Sequence, residues 1–162
     1  MLIFGVDPGT AAIGYGLVKA ERGKECALEI FGCIETSPRR TTAERLGDLY
    51  EALTALIKKY RPDVLAVEDI FFFKNLKTAV KVSQARGVIL LAGQKNHLLI
   101  YEYTPLQVKQ ALTGYGRAEK KQIQQMVKSV LRLKEAPQPD DAADALAVAI
   151  CCAHSKNWPR SR

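Results

Sequence analysis

Two short runs of this chain, Leu2–Asp7 and Val64–Asp69, are apolar at nearly every position and end in carboxylates. The second reads as a buried strand, which needs cover on both faces of its sheet and pairs in parallel beside the first. The first closes on the turn Asp7-Pro8-Gly9-Thr10. Buried strands covered by helices predict an α/β fold, with the acids left where strands run out into loops.

The rest of the chain fills in that architecture. Ile13–Ala20 resumes extended character with Gly14 and Gly16 interleaved, and a polar turn at Glu21–Lys24 leads into a third strand over Glu25–Thr36. Tight turns between sequential strands imply an antiparallel meander. Thr41-x-x-Glu44 is a capping box, and Leu46, Leu49, Tyr50, Leu53, Leu56, Ile57 and Tyr60 then fall on one helical face that stops at Pro62. A second helix is expected from Asn75 to about Lys95, apolar nearly all round between Val88 and Ala92. That pattern predicts burial on both sides, against the core and against a partner subunit. Leu98–Tyr103 is the fifth strand, and Thr104-Pro105 opens a third helix as cap and first-turn proline. A Gly-rich basic loop, Thr113–Arg117, precedes a helix over Glu119–Leu133. Pro137-Gln138-Pro139 breaks the chain before an Ala-rich helix over Asp140–Ala153. The expected whole is one domain, residues 1–154, built on a five-stranded mixed sheet flanked by helices, with a disordered tail over 155–162.

Charge narrows the partners. The formal net charge is +7, and the excess is concentrated. From Phe71 to Lys134 there are twelve Lys/Arg against two acids, Glu102 and Glu119, while the remainder is net acidic. Such a block is the footprint of a phosphate backbone. Membrane insertion is not expected, since the apolar stretches Gly87–Gly93 and Ala145–Ala153 fall far short of the roughly 20 residues a spanning helix needs. The start lacks a basic segment and carries an acid at position 7, so no signal peptide is read there. Cys26, Cys33, Cys151 and Cys152 show no metal spacing and read as free thiols of a cytoplasmic protein.

Four acids stand where acids are costly. Asp7 and Glu68 end apolar strands, and Asp141 and Asp144 sit at i and i+3 at the head of an apolar helix. A turn residue accounts for Asp7 and a cap for Asp141, but Glu68 and Asp144 have no such role. Clustered carboxylates stay ionised only if a cation joins them, and hard oxygen ligands suit Mg²⁺ or Mn²⁺. Two such ions clamp the attacking and leaving oxygens of a phosphodiester. Acids for metal together with a basic face for backbone make a nuclease.

Ile3-Phe4-Gly5-Val6-Asp7-Pro8-Gly9-Thr10, with Gly14-Tyr15-Gly16 behind it, resembles the opening of the RuvC family of bacterial Holliday-junction resolvases. Val67-Glu68-Asp69-Ile70-Phe71, Gln84-Ala85-Arg86-Gly87, Thr104-Pro105-Leu106-Gln107-Val108-Lys109 and Asp141-Ala142-Ala143-Asp144-Ala145-Leu146-Ala147 resemble it too, in family order from about Met1 to His154. The resemblance implies a ribonuclease H-like fold. It implies that Asp7, Glu68, Asp141 and Asp144 are catalytic acids that bind two Mg²⁺ ions, with Mn²⁺ as substitute and Asp7 bridging. Lys109 and Lys120 match lysines that approach the scissile phosphate, and Phe71 matches an aromatic that packs on bases at the crossover. The family implies a homodimer that nicks two strands of a four-way DNA junction symmetrically, leaves 5′-phosphate and 3′-hydroxyl ends, and works with the RuvA–RuvB branch-migration complex. From the basic block, Lys74, Lys77, Lys81, Arg86, Arg117 and Lys121 are the expected further DNA contacts. Asp140 and Lys121 are additions beside the matched Asp141 and Lys120, and Asp140 is expected to cap the last helix.

Rival readings are an actin-like ATPase, a related nuclease acting on RNA, and a DNA-binding module without catalysis. Asp7-x-Gly9-Thr10 resembles a first phosphate loop, but an ATPase of that type needs two domains, and this chain has length for one. The basic block and the Gln84–Gly87 segment favour the junction nuclease over the RNA enzyme, and the full set of four acids argues against a module without catalysis.

Overall fold

The computed structural model describes residues 1–9, 12–21, 23–69 and 76–155. Five strands form one sheet: β1 (Leu2–Asp7), β2 (Ala12–Lys19), β3 (Ala27–Glu35), β4 (Val64–Glu68) and β5 (Leu99–Tyr103). Their order is β3-β2-β1-β4-β5. The β1–β2 and β2–β3 pairs are antiparallel, and β1–β4 and β4–β5 are parallel. The sheet is therefore mixed, and the expected parallel pairing of the first and fourth strands is present with Val6 beside Val67.

Five helices cover it: α1 (Thr42–Tyr60), α2 (Leu76–Lys95), α3 (Pro105–Thr113), α4 (Lys120–Val130) and α5 (Asp140–His154). Alternation along the strands builds two cores. Phe4, Val6, Leu65 and Val67 pack with Leu49, Leu53 and Ile57 of α1 and Ile89 of α2. Ile3, Val64 and Ala66 face the other way, toward Leu146 and Ile150 of α5, Val108 of α3 and Ile123 of α4. Capping boxes start α1 at Thr41 with Glu44 and α3 at Thr104 with Gln107.

Helix α5 lies unusually close to the sheet. A Cβ on Gly5 would stand 2.2 Å from the Ala145 carbonyl oxygen, and one on Gly14 would stand 1.8 Å from that of Asp141. Glycine on the strand and alanine on the helix let the two backbones nearly touch, which brings the head of α5 to the end of β1.

One expectation needs correction. Asp140 does not cap α5: Pro139 is the N-cap residue and there is no side-chain cap hydrogen bond. Pro139 is extended, Asp140 is already the first helical residue, and its carboxylate points to Gln124 and Lys120 of α4 instead. Helix α2 buries one side within the chain, as expected of its core face. Ile89 and Ala92 are in the core, but Leu91 is 49% exposed and Val80 50%. The tail, apart from Ser155, lies outside the described residues.

Candidate active site

Asp7 and Glu68 close neighbouring parallel strands. Because Val6 and Val67 face α1 and α2, the next residue on each strand turns to the opposite face, toward α5. There the first two turns of α5 present Asp141 and Asp144. Carboxylate oxygens of Asp7, Asp141 and Asp144 lie within 4.8 Å of one another, and Glu68 is hydrogen-bonded to Asp7. The four acids singled out by sequence thus converge from three elements.

The electrostatics are those of crowded anions. Burial raises the Asp7 carboxyl to about 8, with further lift from Glu68, Asp144 and Asp141. Glu68 is raised to about 6 by burial and by Asp144, while Lys109 and Lys120 pull it down. Their shared hydrogen bond raises Asp7 and lowers Glu68, which favours the proton on Asp7. Asp144 is also raised by burial, against the opposing pull of Lys120. Protons here do what a cation would do better, and an all-oxygen donor set of this charge fits a hard divalent ion.

Two lysines frame the acids from α3 and α4. Lys120 Nζ lies 3.0 Å from Asp144 Oδ2 and 3.4 Å from Asp140 Oδ2. Partial burial lowers its affinity for a proton, but the two carboxylates outweigh that and hold it above its usual range. Gln124 Nε2 donates to Asp140 Oδ1 at 2.8 Å, so Asp140 links Lys120 to a second α4 side chain. Lys109 is half-buried on α3 and acts electrostatically on Glu68.

The other expected DNA contacts scatter. Lys77 and Lys81 are exposed on the first half of α2, and Arg117 and Lys121 are exposed around the loop that enters α4. Lys121 turns from the acids to an open apolar pocket with Leu112, Tyr115 and Met126. Arg86 is different: its guanidinium is engaged by two carboxylates, Asp69 and Glu102. Phe71, with its expected alternation against Phe72, and Lys74 lie outside the described residues. Sequence reasoning missed Asp69 and Glu102 as partners of Arg86. The available signal was Glu102 itself, one of only two acids within the basic block.

A family model, crossover junction endodeoxyribonuclease RuvC, matches residues 3–152. The chain belongs to the RuvC family. A crossover junction endodeoxyribonuclease RuvC of Pelotomaculum thermopropionicum is 58% identical over 160 residues, covering 99% of this chain and 97% of the relative. The structure of Thermus thermophilus RuvC superposes with a TM-score of 0.87 at 39% identity, over 95% of this chain and 94% of that one. The same protein in complex with a Holliday junction substrate gives a TM-score of 0.86 at 36% identity, with the same coverage. These likenesses make the fold ribonuclease H-like, as RuvC family membership implies.

Proposed function

We infer that this chain is a crossover junction endodeoxyribonuclease that resolves Holliday junctions. The observation that carries the reading is the convergence of Asp7, Glu68, Asp141 and Asp144 at the joined ends of β1, β4 and α5, in a chain of the RuvC family. These four side chains would hold two divalent ions, Mg²⁺ with Mn²⁺ as substitute. Bound there, the ions supply a clamp on the attacking and leaving oxygens of the phosphodiester.

The chain's own groups do the rest. Lys109 and Lys120 approach the same acids from one side and would carry the negative charge that develops on the transferring phosphate. The exposed Lys77, Lys81, Arg117 and Lys121 would neutralise backbone phosphates of the arms, and Phe71 and Lys74 are proposed as DNA contacts on the family resemblance and the basic block alone. The reading includes a homodimer, since symmetric nicking of two strands needs two sites related by a two-fold axis. It also includes partnership with RuvA–RuvB, which rests on family membership. A cytoplasmic location is supported by four free cysteines; among the described residues, no helix is long and apolar enough to cross a membrane.

The test is cleavage of a synthetic four-way junction by the purified protein with Mg²⁺, beside a linear duplex and an RNA hairpin. Paired nicks in the junction alone, with ends that ligase seals directly, are expected. Cleavage of the hairpin with the junction left intact would overturn the reading.

A further inference from the structure

Arg86 sits at the contact of α2 with the ends of β4 and β5. Its Nη2 lies 3.0 Å from Asp69 Oδ1 and also pairs with Glu102 Oε2. The side chain is only 20% exposed, and its Nε is buried without a hydrogen-bond partner among the described residues. A guanidinium already shared between two carboxylates is poorly placed to take a phosphate, because the phosphate would enter against two negative charges.

The placement of the two acids gives the arrangement its meaning. In the β4–β5 register Val67 stands beside Glu102 and Glu68 beside Tyr103. Val67 faces α2, so Glu102 does too, while Glu68 and Tyr103 face α5. Asp69 then returns to the α2 face, and its backbone N–H donates to the Tyr103 carbonyl at 2.8 Å. Glu68 is thus flanked by residues anchored on the far side of the sheet, Val67 by packing and Asp69 by Arg86. Rotation of the strand end that would swing Glu68 away from Asp7 must first pull Asp69 off the guanidinium.

We propose that Arg86, gripping Asp69 and Glu102, is a positioning residue that fixes the aim of the Glu68 carboxylate into the metal-binding cluster. The inference rests on the reading of Glu68 as a metal-holding acid. It assigns Arg86 to the opposite face of the sheet from the chemistry and takes it out of the set of phosphate contacts. Outer groups of this kind typically cost 10–100-fold in metal affinity or activity when removed.

The test uses the full-length protein with Arg86→Gln, Glu102→Gln and the double variant. Mg²⁺ binding is measured by calorimetry and by the Mg²⁺-dependent rise in Tm. Junction affinity is measured without metal across a salt series. Arg86→Gln should weaken Mg²⁺ binding on the order of tenfold and leave junction affinity and its salt slope unchanged. Glu102→Gln should shift Mg²⁺ binding in the same direction, and the double variant should be no worse than Arg86→Gln. Glu102 is an exposed side chain whose loss leaves the Asp69 pair in place, so it carries the test if Arg86→Gln fails to fold. A fall in junction affinity with a salt slope flatter by about one unit would restore Arg86 as a phosphate contact and overturn the proposal. A lower Tm with unchanged Mg²⁺ binding would overturn it too, by making the cluster merely structural. Glu68→Gln is the control: wild-type Mg²⁺ affinity in that variant would remove the role of Glu68 itself, and this inference with it.

Discussion

Asp7 is the residue on which the site's chemistry and the protein's stability meet. Its carboxyl titrates near 8 in the folded protein against an ordinary 3.8, burial being the chief cause. A carboxyl raised in the folded state contributes stability that is complete below the unfolded value and lost as pH climbs through the folded one. Metal-free protein should therefore lose stability steadily from about pH 4 to pH 8, and Glu68, raised to about 6, adds to the same slope. Asp7→Asn keeps the shape and removes the charge. It should flatten that slope and raise the metal-free Tm at pH 8, by roughly 4–8 °C for about 2 kcal/mol. It should also abolish the Mg²⁺-dependent rise in Tm and lower cleavage by orders of magnitude while junction binding survives. Melting curves in EDTA and in Mg²⁺ at four pH values decide it; a variant that still cleaves near the wild-type rate refutes the assignment. Lys120 and Lys121 make a second comparison at this scale. Lys120 is held between Asp144 and Asp140, whereas Lys121 is exposed and turned to the pocket of Tyr115. Lys120→Ala should cut the single-turnover rate on bound junction, and Lys121→Ala should instead flatten the salt dependence of binding by about one unit. Reversed results would move the catalytic role one residue along.

Among the elements, what could be read from the sequence was what is local. The capping box of α1, the Thr104 cap and Pro105 of α3, the stop at Pro62 and the buried fourth strand depend on neighbours a few residues apart, so their signals survive without the fold. The four acids were legible because each stands beside an apolar run and because Glu68 and Asp144 have no turn or capping role to explain them. The partners of Arg86 and Asp140 were not, because charge and neighbours alone suggested a phosphate for the first and a cap for the second. Their actual partners, on β5 and α4, are brought to them only by the tertiary fold. The strand glycines fall between: Gly14 and Gly16 were visible, but their reason, the approach of α5, was not. Gly14→Ala should therefore cost about 3 kcal/mol, roughly 6–12 °C in Tm, because the clash is with the Asp141 carbonyl and backbone must move. It should also weaken the Mg²⁺-dependent Tm rise by displacing the first turn of α5. Gly47→Ala, on an exposed stretch of α1 with open space around it, should instead gain about 0.5–1 kcal/mol. If thermal melting finds the two variants alike, close backbone approach is not what seats α5.

For the whole molecule, the exposed side of α2 sets the question of assembly. Val80, Gln84, Gly87 and Leu91 recur at i, i+4, i+7 and i+11, so they form one stripe along the helix, and all four are exposed. Among the described residues, nothing outside the helix's own backbone lies within 4 Å of where a Gly87 Cβ would stand. A stripe with apolar ends and a glycine at its centre allows two copies of the helix to cross closely, each giving the other the same surface, as a two-fold axis requires. The apolar run that predicted burial on both sides is thus half satisfied within one chain, by Ile89 and Ala92, and Leu91 is the exposed residue that the proposed second copy would cover. One chain carries one set of four acids, and two strands of a junction are to be cut in concert, so pairing along this stripe bears directly on product. Leu91→Lys places like charges where two copies would meet, and on an exposed position it should leave the fold of the single chain intact. Sedimentation at micromolar concentration should find the proposed dimer for the wild-type protein and monomer for the variant. On a supercoiled plasmid bearing an extruded cruciform, paired nicks give linear product and single nicks give open circles. The variant should shift the product from linear to open circle while retaining Mg²⁺-dependent nicking. A Leu91→Lys protein that remains dimeric and still yields linear product would show that the two copies meet elsewhere.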